Sequence, residues 1–225
     1  MTVQAARKGS LGLATGYFAH DDGGHTGTTM SAREGTAGLD LFVERGFLDA
    51  SALADVLAAV RASQGRPATV YGRDDSGEVD SRVRRTTRLS PPAEVEALVR
   101  RLLLSRMSAA EEHFGVRLEE LEEPQFLRYE AGDYFVAHQD GNTGLLRSER
   151  EERKVSAVVF LNSRSETPGP DAYGGGSLLF HPRGASEPFR LTAEAGTLVA
   201  FRAETTHEVE PVSHGERFTI ASWYR

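Results

Sequence analysis

Hydrophobic positions recur at helical spacing in two stretches of the first half of this chain. In the first stretch, 47–60, apolar residues repeat every three or four positions, and Asp49 or Ser51 stands where a helix N-cap belongs. The second stretch begins after the Pro91–Pro92 pair and continues to about Phe114. The pattern therefore predicts two helices, the second with an apolar stripe suited to covering a sheet.

After Gly115 the pattern changes to short runs, several alternating between apolar and polar residues, with turn residues between them. Eight strands are predicted, over 124–129, 134–138, 155–161, 177–180, 188–191, 197–201, 208–212 and 217–223. Many short strands in succession favour a sandwich or jelly roll over a parallel α/β sheet. The predicted fold class is α+β, with a jelly-roll core and N-terminal supporting helices.

Two stretches of the first half have no apolar periodicity. Residues 1–36 are rich in Gly, Thr, Ala and His and are interpreted as a flexible N-terminal tail or flap. Residues 65–88 are polar and rich in Gly and Asp, which predicts a long loop or a poorly formed hairpin. No linker divides the remainder, so we expect a single domain over 37–225, with helical support at 37–115 and the β core at 116–225.

Composition narrows the possible function classes. Of the 225 residues, 39% are hydrophobic and 26% are charged, which is typical of a soluble globular protein. No apolar run has the length of a membrane span or the character of a signal peptide, so a cytoplasmic location without a membrane partner is expected. The formal net charge of -7 argues against broad contact with nucleic acid. Because the chain has no cysteine, histidine and carboxylate side chains would have to hold any metal.

The pair His138 and Asp140 ends an apolar, strand-like run. Residues i and i+2 of an extended strand point to the same side, so this imidazole and this carboxylate can meet at one metal ion. A similar pair, His20 and Asp22, lies in the Gly-rich tail without a strand to fix it. His207, near the start of a predicted strand, is the candidate third ligand. Two histidines and one carboxylate on one face of a metal form the facial triad of non-haem Fe(II) oxygenases.

Taken alone, His207 also fits a hydrogen-bonded or exposed histidine in a loop. The presence of Arg217 favours the metal hypothesis over this alternative. Arg217 follows His207 by ten residues, on the next predicted strand. A guanidinium that points into a β barrel needs a carboxylate partner, and a ligand can supply one. The basic segment 82–88 is typical of a solvated stretch, although Arg84 or Arg85 could contact a substrate.

Four stretches of the second half carry a resemblance to a known family, in matching order and spacing. They are LRYEAGDYFVAHQD at 127–140, VVFLN at 158–162, GGGSLLF at 174–180, and 196–223 with its GTLVAF, HEVEPV and GER segments. In these stretches the chain resembles the 2-oxoglutarate and Fe(II) dependent oxygenases of the prolyl 4-hydroxylase-like group. One departure is Phe135, at a position that is often tyrosine in collagen-type and oxygen-sensing members.

The resemblance implies a double-stranded β-helix core of the jelly-roll, cupin-like type. It also implies Fe(II) held by His138, Asp140 and His207, which would be both the metal ligands and the catalytic residues. The distal carboxylate of 2-oxoglutarate, the co-substrate, would bind Arg217, and Tyr129 matches the position whose hydroxyl assists that carboxylate.

The implied activity is hydroxylation of a C–H bond with release of succinate and CO2, with ascorbate as a candidate reductant. The substrate could be amino-acid-like, peptidyl, including prolyl, or a small natural product. A lid formed by 71–85, with the tail at 20–29, is expected to close over the iron. The alternative function is that of a cupin-like jelly roll that binds a metal or a small acid without oxygenase turnover.

Overall fold

The computed structural model describes residues 29–31, 39–71, 77–141, 153–185 and 187–225. The tail or flap interpreted at 1–36 therefore lies outside the described residues except for 29–31. The lid expected at 71–85 is described only in part. The His–Asp pair of the tail lies wholly outside the described residues.

Three helices occur in the described residues, all in the first half: α1 (Ala50–Arg61), α2 (Ala93–Leu104) and α3 (Met107–Phe114). Helix α1 begins where the sequence predicts, because Asp49 caps it. The Asp49 carboxylate accepts a hydrogen bond of 2.9 Å from the Ala52 amide, which satisfies one of the unpaired N–H groups of the first turn.

The single helix predicted up to Phe114 is wrong, since α2 and α3 are separate. Ser105 and Arg106 interrupt the helical pattern between them. The Ser105 hydroxyl donates to the Leu102 carbonyl at 2.7 Å, and a serine that bonds back to its own helix weakens continuation of that helix. Arg106 forms an ion pair with Glu44 of β2 at 2.8 Å, which ties the turn between the helices to the large sheet.

The described residues contain eighteen strands. Those of the first half are β1 (Thr29–Ser31), β2 (Leu41–Glu44), β3 (Gln64–Pro67), β4 (Val70–Tyr71), β5 (Gly77–Glu78), β6 (Arg84–Arg85) and β7 (Thr87–Ser90). Those of the second half are β8 (Gln125–Tyr129), β9 (Tyr134–His138), β10 (Val155–Phe160), β11 (Ser163–Arg164), β12 (Ala172–Gly175), β13 (Leu178–Phe180), β14 (Phe189–Leu191), β15 (Leu198–Arg202), β16 (His207–Val209), β17 (Val212–His214) and β18 (Arg217–Tyr224).

Each of the eight predicted strands is present, with one correction. The strand predicted over 208–212 is two strands, β16 and β17, which belong to different sheets. Pro211 lies between them, and proline cannot donate to a ladder hydrogen bond. The segment predicted as a loop or hairpin at 65–88 is a hairpin, in which β3 pairs with β7 and β4 pairs with β5.

Two sheets face each other across a core, as a jelly roll requires. The large sheet has the order β1-β2-β15-β10-β18-β8-β7-β3, and the smaller one has the order β14-β13-β16-β9-β6. A three-stranded sheet, β11-β12-β17, accompanies them. The first half of the chain thus supplies strands as well as helices, because β2, β3, β6 and β7 join these sheets.

The large sheet buries side chains on both faces, and strand β15 shows how. Leu198 and Ala200 belong to the cluster that the helices cover, while Val199 and Phe201 belong to the cluster between the two sheets. This alternation follows from the two-residue period of a strand. The helices therefore cover one face of the large sheet and leave its other face to the cavity described below. No helix of the described part is long and apolar enough to cross a membrane.

Candidate active site

His138, Asp140 and His207 meet where β9 and β16 pair. His138 is the last residue of β9 and lies opposite His207, the first residue of β16, in an antiparallel ladder. Asp140 lies two residues beyond the end of β9 rather than within a strand, and its amide donates to the Ala203 carbonyl at 3.0 Å. One possible ligand atom from each of the three side chains lies within 4.8 Å of the other two. The structure thus brings the three residues proposed from sequence to one point.

Backbone carbonyls orient both imidazoles. The Nδ1 atom of His138 lies 2.8 Å from the Val136 carbonyl oxygen, and that of His207 lies 2.9 Å from the Thr205 carbonyl oxygen. Because a carbonyl only accepts hydrogen bonds, each Nδ1 carries a proton, and Nε2 is the nitrogen that can bind a metal. Metal-binding histidines are usually held in this way.

The carboxylate of Asp140 completes the donor set. Its Oδ1 lies 3.5 Å from Nε2 of His138, and its Oδ2 lies 3.5 Å from Nε2 of His207. The Ser156 hydroxyl, on strand β10, donates to Oδ2 at 2.7 Å. That hydrogen bond orients the carboxylate, and two imidazole nitrogens and one carboxylate oxygen lie close together.

Electrostatics favour the protonation states that a cation needs. Burial by itself raises the pKa of Asp140, but the attraction of His207 and the hydrogen bond and charge of His138 lower it further than burial raises it. The net effect places the pKa of Asp140 below its usual range, so the carboxylate is ionised. Burial lowers the pKa of His207 to about 4, so its imidazole is neutral near pH 7. An ionised carboxylate at Asp140 and a neutral imidazole at His207 are the forms that bind metal.

Arg217 forms a second centre in the same cavity. It lies at the start of β18, opposite Tyr129, and only 1% of its surface is exposed. The guanidinium carbon lies 5.1 Å from the ring centre of Tyr129 and 5.2 Å from that of Phe160. Its Nη1 donates to the Thr219 hydroxyl at 3.2 Å, and its Nε has no hydrogen-bond partner among the described residues.

A buried guanidinium of this kind requires an anion. No described carboxylate lies within 4.0 Å of Arg217, although a buried charge without a partner is costly. A carboxylate that enters from solution would satisfy the unpaired N–H groups and would gain strength from the aromatic walls that exclude water. The residues present therefore fit the distal carboxylate of a dicarboxylic acid.

Gly176 makes room for this arginine. Its φ of +59° lies in the left-handed region, and a Cβ at this position would lie 3.0 Å from Cδ of Arg217 and 3.0 Å from Cγ2 of Val212. Glycine at 176 is thus required both by the backbone and by the close approach of the arginine stem.

One cavity of about 330 Å³ joins the two centres. His138, Asp140, His207, Arg217 and Tyr129 all line it, as the sequence-based hypothesis requires. The 65–88 hairpin contributes Thr69, Val83 and Arg84 to the same lining.

Two lining residues, Ser156 and Arg84, have contacts that sequence reasoning missed. The sequence indicates Ser156 only weakly, because it is a polar residue within the apolar run of β10. The sequence offered Arg84 and Arg85 equally as substrate contacts and gave no means of choosing between them.

Comparison with known proteins agrees with this site. Residues 124–225 match the family model of the 2OG-Fe(II) oxygenase superfamily. A PKHD-type hydroxylase of Burkholderia lata is 37% identical over 102 residues, which are 44% of this chain and 41% of that relative. The matched segment thus spans about two fifths of the relative's length.

Two solved structures share the fold. A prolyl-4-hydroxylase of Pseudomonas putida superposes with a TM-score of 0.61 at 24% identity, over 82% of this chain and 92% of that one. A prolyl hydroxylase of Trichoplax adhaerens, in complex with a hypoxia inducible factor peptide fragment, superposes with a TM-score of 0.64 at 19% identity, over 82% of each chain. These likenesses identify the architecture as the double-stranded β-helix of such oxygenases.

Proposed function

We propose that this protein is a 2-oxoglutarate-dependent hydroxylase acting on an amino-acid-like, peptidyl or small natural-product C–H bond, because residues 124–225 match the family model of the 2OG-Fe(II) oxygenase superfamily. The observation that carries the proposal is the pairing of two centres in one cavity. A histidine–carboxylate–histidine group with converging donor atoms lines the same cavity as a buried arginine that has no acid partner among the described residues.

The three donor side chains would hold Fe(II) on one face. When bound, Fe(II) with 2-oxoglutarate supplies the chemistry, in which O2 and 2-oxoglutarate give succinate and CO2 while one oxygen atom enters the substrate as a hydroxyl group. His138 and His207 would donate through Nε2, since their Nδ1 atoms are held by carbonyls. Asp140 would donate a carboxylate oxygen that Ser156 orients.

Arg217 would hold the distal carboxylate of 2-oxoglutarate, and Tyr129 would flank it. Both side chains are almost fully buried, with 1% and 2% of their surface exposed. Their rings and methylene groups exclude water, which strengthens the charge-assisted hydrogen bonds of the guanidinium. The co-substrate would thus be anchored at one end while its other end reaches the metal centre.

The proposal is tested by measuring succinate formed from 2-oxoglutarate by the purified protein with Fe(II) in air. Wild type should form succinate, slowly without a substrate, and His207→Ala should form none. His181→Ala is the matched control, because His181 follows β13 in the same sheet but does not line the cavity. Tight binding of Fe(II) and 2-oxoglutarate by wild type without any succinate would show a cupin-like binding protein instead.

A further inference from the structure

Arg84 lies at the cavity in an arrangement that the proposed reaction does not explain. It belongs to β6 and pairs with Phe135 of β9. Its guanidinium carbon lies 4.8 Å from the centre of the Phe135 ring, and its Nη1 donates to the Thr69 carbonyl at 3.3 Å. Its Nε is buried and has no hydrogen-bond partner among the described residues. The side chain is therefore held in place, and its Nε–H group remains available to donate a hydrogen bond.

The other arginines nearby are already paired or committed. Arg85, the next residue, forms an ion pair with Asp133 at 3.6 Å outside the cavity lining. Arg153, which does line the cavity, is paired with Glu122. Arg217 is committed to the co-substrate in the function proposed above. Arg84 has no carboxylate within 4.0 Å in the described part of the chain, so its charge is available to a ligand.

The described lining of the cavity holds no acid that competes for Arg84. Among the described residues that line it, Asp140 is the single carboxylate, and the metal centre uses it. An anion that enters beside Arg84 therefore meets a cation whose described surroundings hold no negative side chain other than Asp140. A neutral molecule of the same shape would leave the donors of Arg84 unsatisfied, which costs binding free energy.

Stacking fixes the position of Arg84 relative to the metal centre. Phe135 lies between Arg84 and His138, and its ring stacks on the His138 imidazole with a centroid distance of 3.6 Å and an interplanar angle of 19°. The guanidinium of Arg84 thus contacts Phe135, and Phe135 in turn contacts His138, one of the three donor residues. A guanidinium that lies over an aromatic ring can still donate hydrogen bonds, and Nε of Arg84 has no partner among the described residues, so it can bind a carboxylate.

We propose that Arg84 determines substrate specificity by binding a carboxylate of the substrate, which is a small acid of amino-acid size. This inference rests on the proposed function. A cavity of about 330 Å³ lies at the lower end of the range for small-molecule sites, which fits a small acid better than a bulky one. The carboxylate would anchor the substrate at the mouth and direct a C–H bond inward, toward the metal centre.

Matched probes test the proposal by binding. L-Proline, L-leucine and N-acetyl-L-proline are each compared with the corresponding carboxamide, which keeps the skeleton and removes the negative charge. Trp223 is the only tryptophan of the chain and lines the cavity, so its fluorescence reports occupancy. Titrations use the Fe(II) and 2-oxoglutarate loaded protein under nitrogen, where turnover cannot occur.

Wild type should bind at least one carboxylate about tenfold or more tightly than its carboxamide, as expected for charge-assisted hydrogen bonds. Arg84→Gln should abolish this preference, and Arg84→Glu should reverse it. Arg85→Gln, a matched variant of the neighbouring arginine on the same strand, should leave the preference unchanged. Unchanged affinity for 2-oxoglutarate in each variant shows that the cavity is intact.

Two results would overturn the inference. One is a wild-type protein that binds no carboxylate more tightly than its carboxamide. The other is a preference that persists in both Arg84→Gln and Arg84→Glu. Succinate formation by wild type in air tests the proposed function separately. Without it, the proposed function and the substrate role of Arg84 both fail, whereas succinate formation without a carboxylate preference refutes only the role of Arg84.

Discussion

At the scale of single residues, Ser156 shows how much of the metal centre depends on a side chain that binds no metal. Its hydroxyl donates to Oδ2 of Asp140 at 2.7 Å, and without it the carboxylate could rotate away from the two imidazoles. Residues that orient metal ligands typically contribute about 10–100-fold to metal affinity or activity. We therefore expect Ser156→Ala to bind Fe(II) or Mn(II) roughly 10–100-fold more weakly.

The measurement is a metal titration under nitrogen, with Ser222→Ala as the control. Ser222 is also buried and its hydroxyl also donates at 2.7 Å, but to the Glu122 carbonyl, away from the cavity lining. Equal metal affinities for wild type and Ser156→Ala would show that other contacts fix Asp140.

Arg217 gives a second prediction at this scale. Arg217→Ala should weaken 2-oxoglutarate binding by roughly 1.5–3 kcal/mol, about tenfold or more, because charge-assisted hydrogen bonds to the distal carboxylate are lost. Its metal affinity should stay near the wild-type value, since Arg217 is not one of the three donor residues.

The matched control for this prediction is Arg128→Ala. Arg128 lies on the neighbouring strand β8 and forms ion pairs with Glu130 and Glu216, outside the cavity lining. Binding of 2-oxoglutarate is measured by calorimetry with Mn(II) in place of Fe(II). An unchanged affinity in Arg217→Ala would mean that another cation holds the acid.

The residues of the site differed in how well the sequence could predict them. His138 and Asp140 are two positions apart, so local geometry alone suggests that they converge. Ser156 is sixteen residues from Asp140 along the chain, and their contact exists only because β10 lies beside the end of β9. No local pattern records such a contact. The sequence named Arg84 and Arg85 together and could not choose between them, because the pairing of Arg84 with Phe135 joins two different strands.

At the scale of secondary-structure elements, the turn after β12 packs against Arg217, the arginine proposed to bind 2-oxoglutarate. Gly176 has a φ of +59°, and a Cβ there would lie 3.0 Å from Cδ of Arg217. Gly176→Ala should therefore destabilise the fold by about 1–3 kcal/mol through backbone strain. It should also displace the guanidinium and weaken 2-oxoglutarate binding.

Gly184→Ala is the control that separates backbone strain from the contact with Arg217. Gly184 also has a positive φ, of +79°, but a Cβ there would meet no atom within 4 Å. We expect Gly184→Ala to lower the thermal stability without changing the affinity for 2-oxoglutarate. If both variants bind 2-oxoglutarate as wild type does, the turn has no part in positioning Arg217.

Sequence periodicity predicted elements best where burial is regular. The strands β8, β10, β15 and β18 carry apolar residues that pack on one or both faces, and each was predicted to within one or two residues. Strand β3 reads Gln-Gly-Arg-Pro and is exposed throughout, so it carries no such signal. It becomes a strand because β7 offers a pairing edge. The break between α2 and α3 was missed because apolar residues continue at helical spacing across it.

At the scale of the whole molecule, the two faces of the large sheet have different roles: one packs against the helices and stabilises the fold, and the other lines the cavity. One face packs against the helices, where Leu103 of α2 and Val56 of α1 are fully buried. The other face and the small sheet enclose the cavity. A change on the helix side should therefore alter folding and leave metal binding intact, and a change of a metal ligand should do the reverse.

Leu103→Ala and Asp140→Ala test this separation directly. Leu103→Ala removes a fully buried side chain and should lower the free energy of unfolding by about 2–5 kcal/mol. Asp140→Ala should stay folded, because a partly buried polar residue at the cavity contributes little to the core.

A metal that binds only the folded state raises thermal stability by mass action. Adding Mn(II) should therefore raise the melting temperature of wild type and of Leu103→Ala, and leave that of Asp140→Ala unchanged. Thermal scans with and without Mn(II) measure both effects, and a metal-induced rise in Asp140→Ala equal to that of wild type would place the metal elsewhere in the molecule.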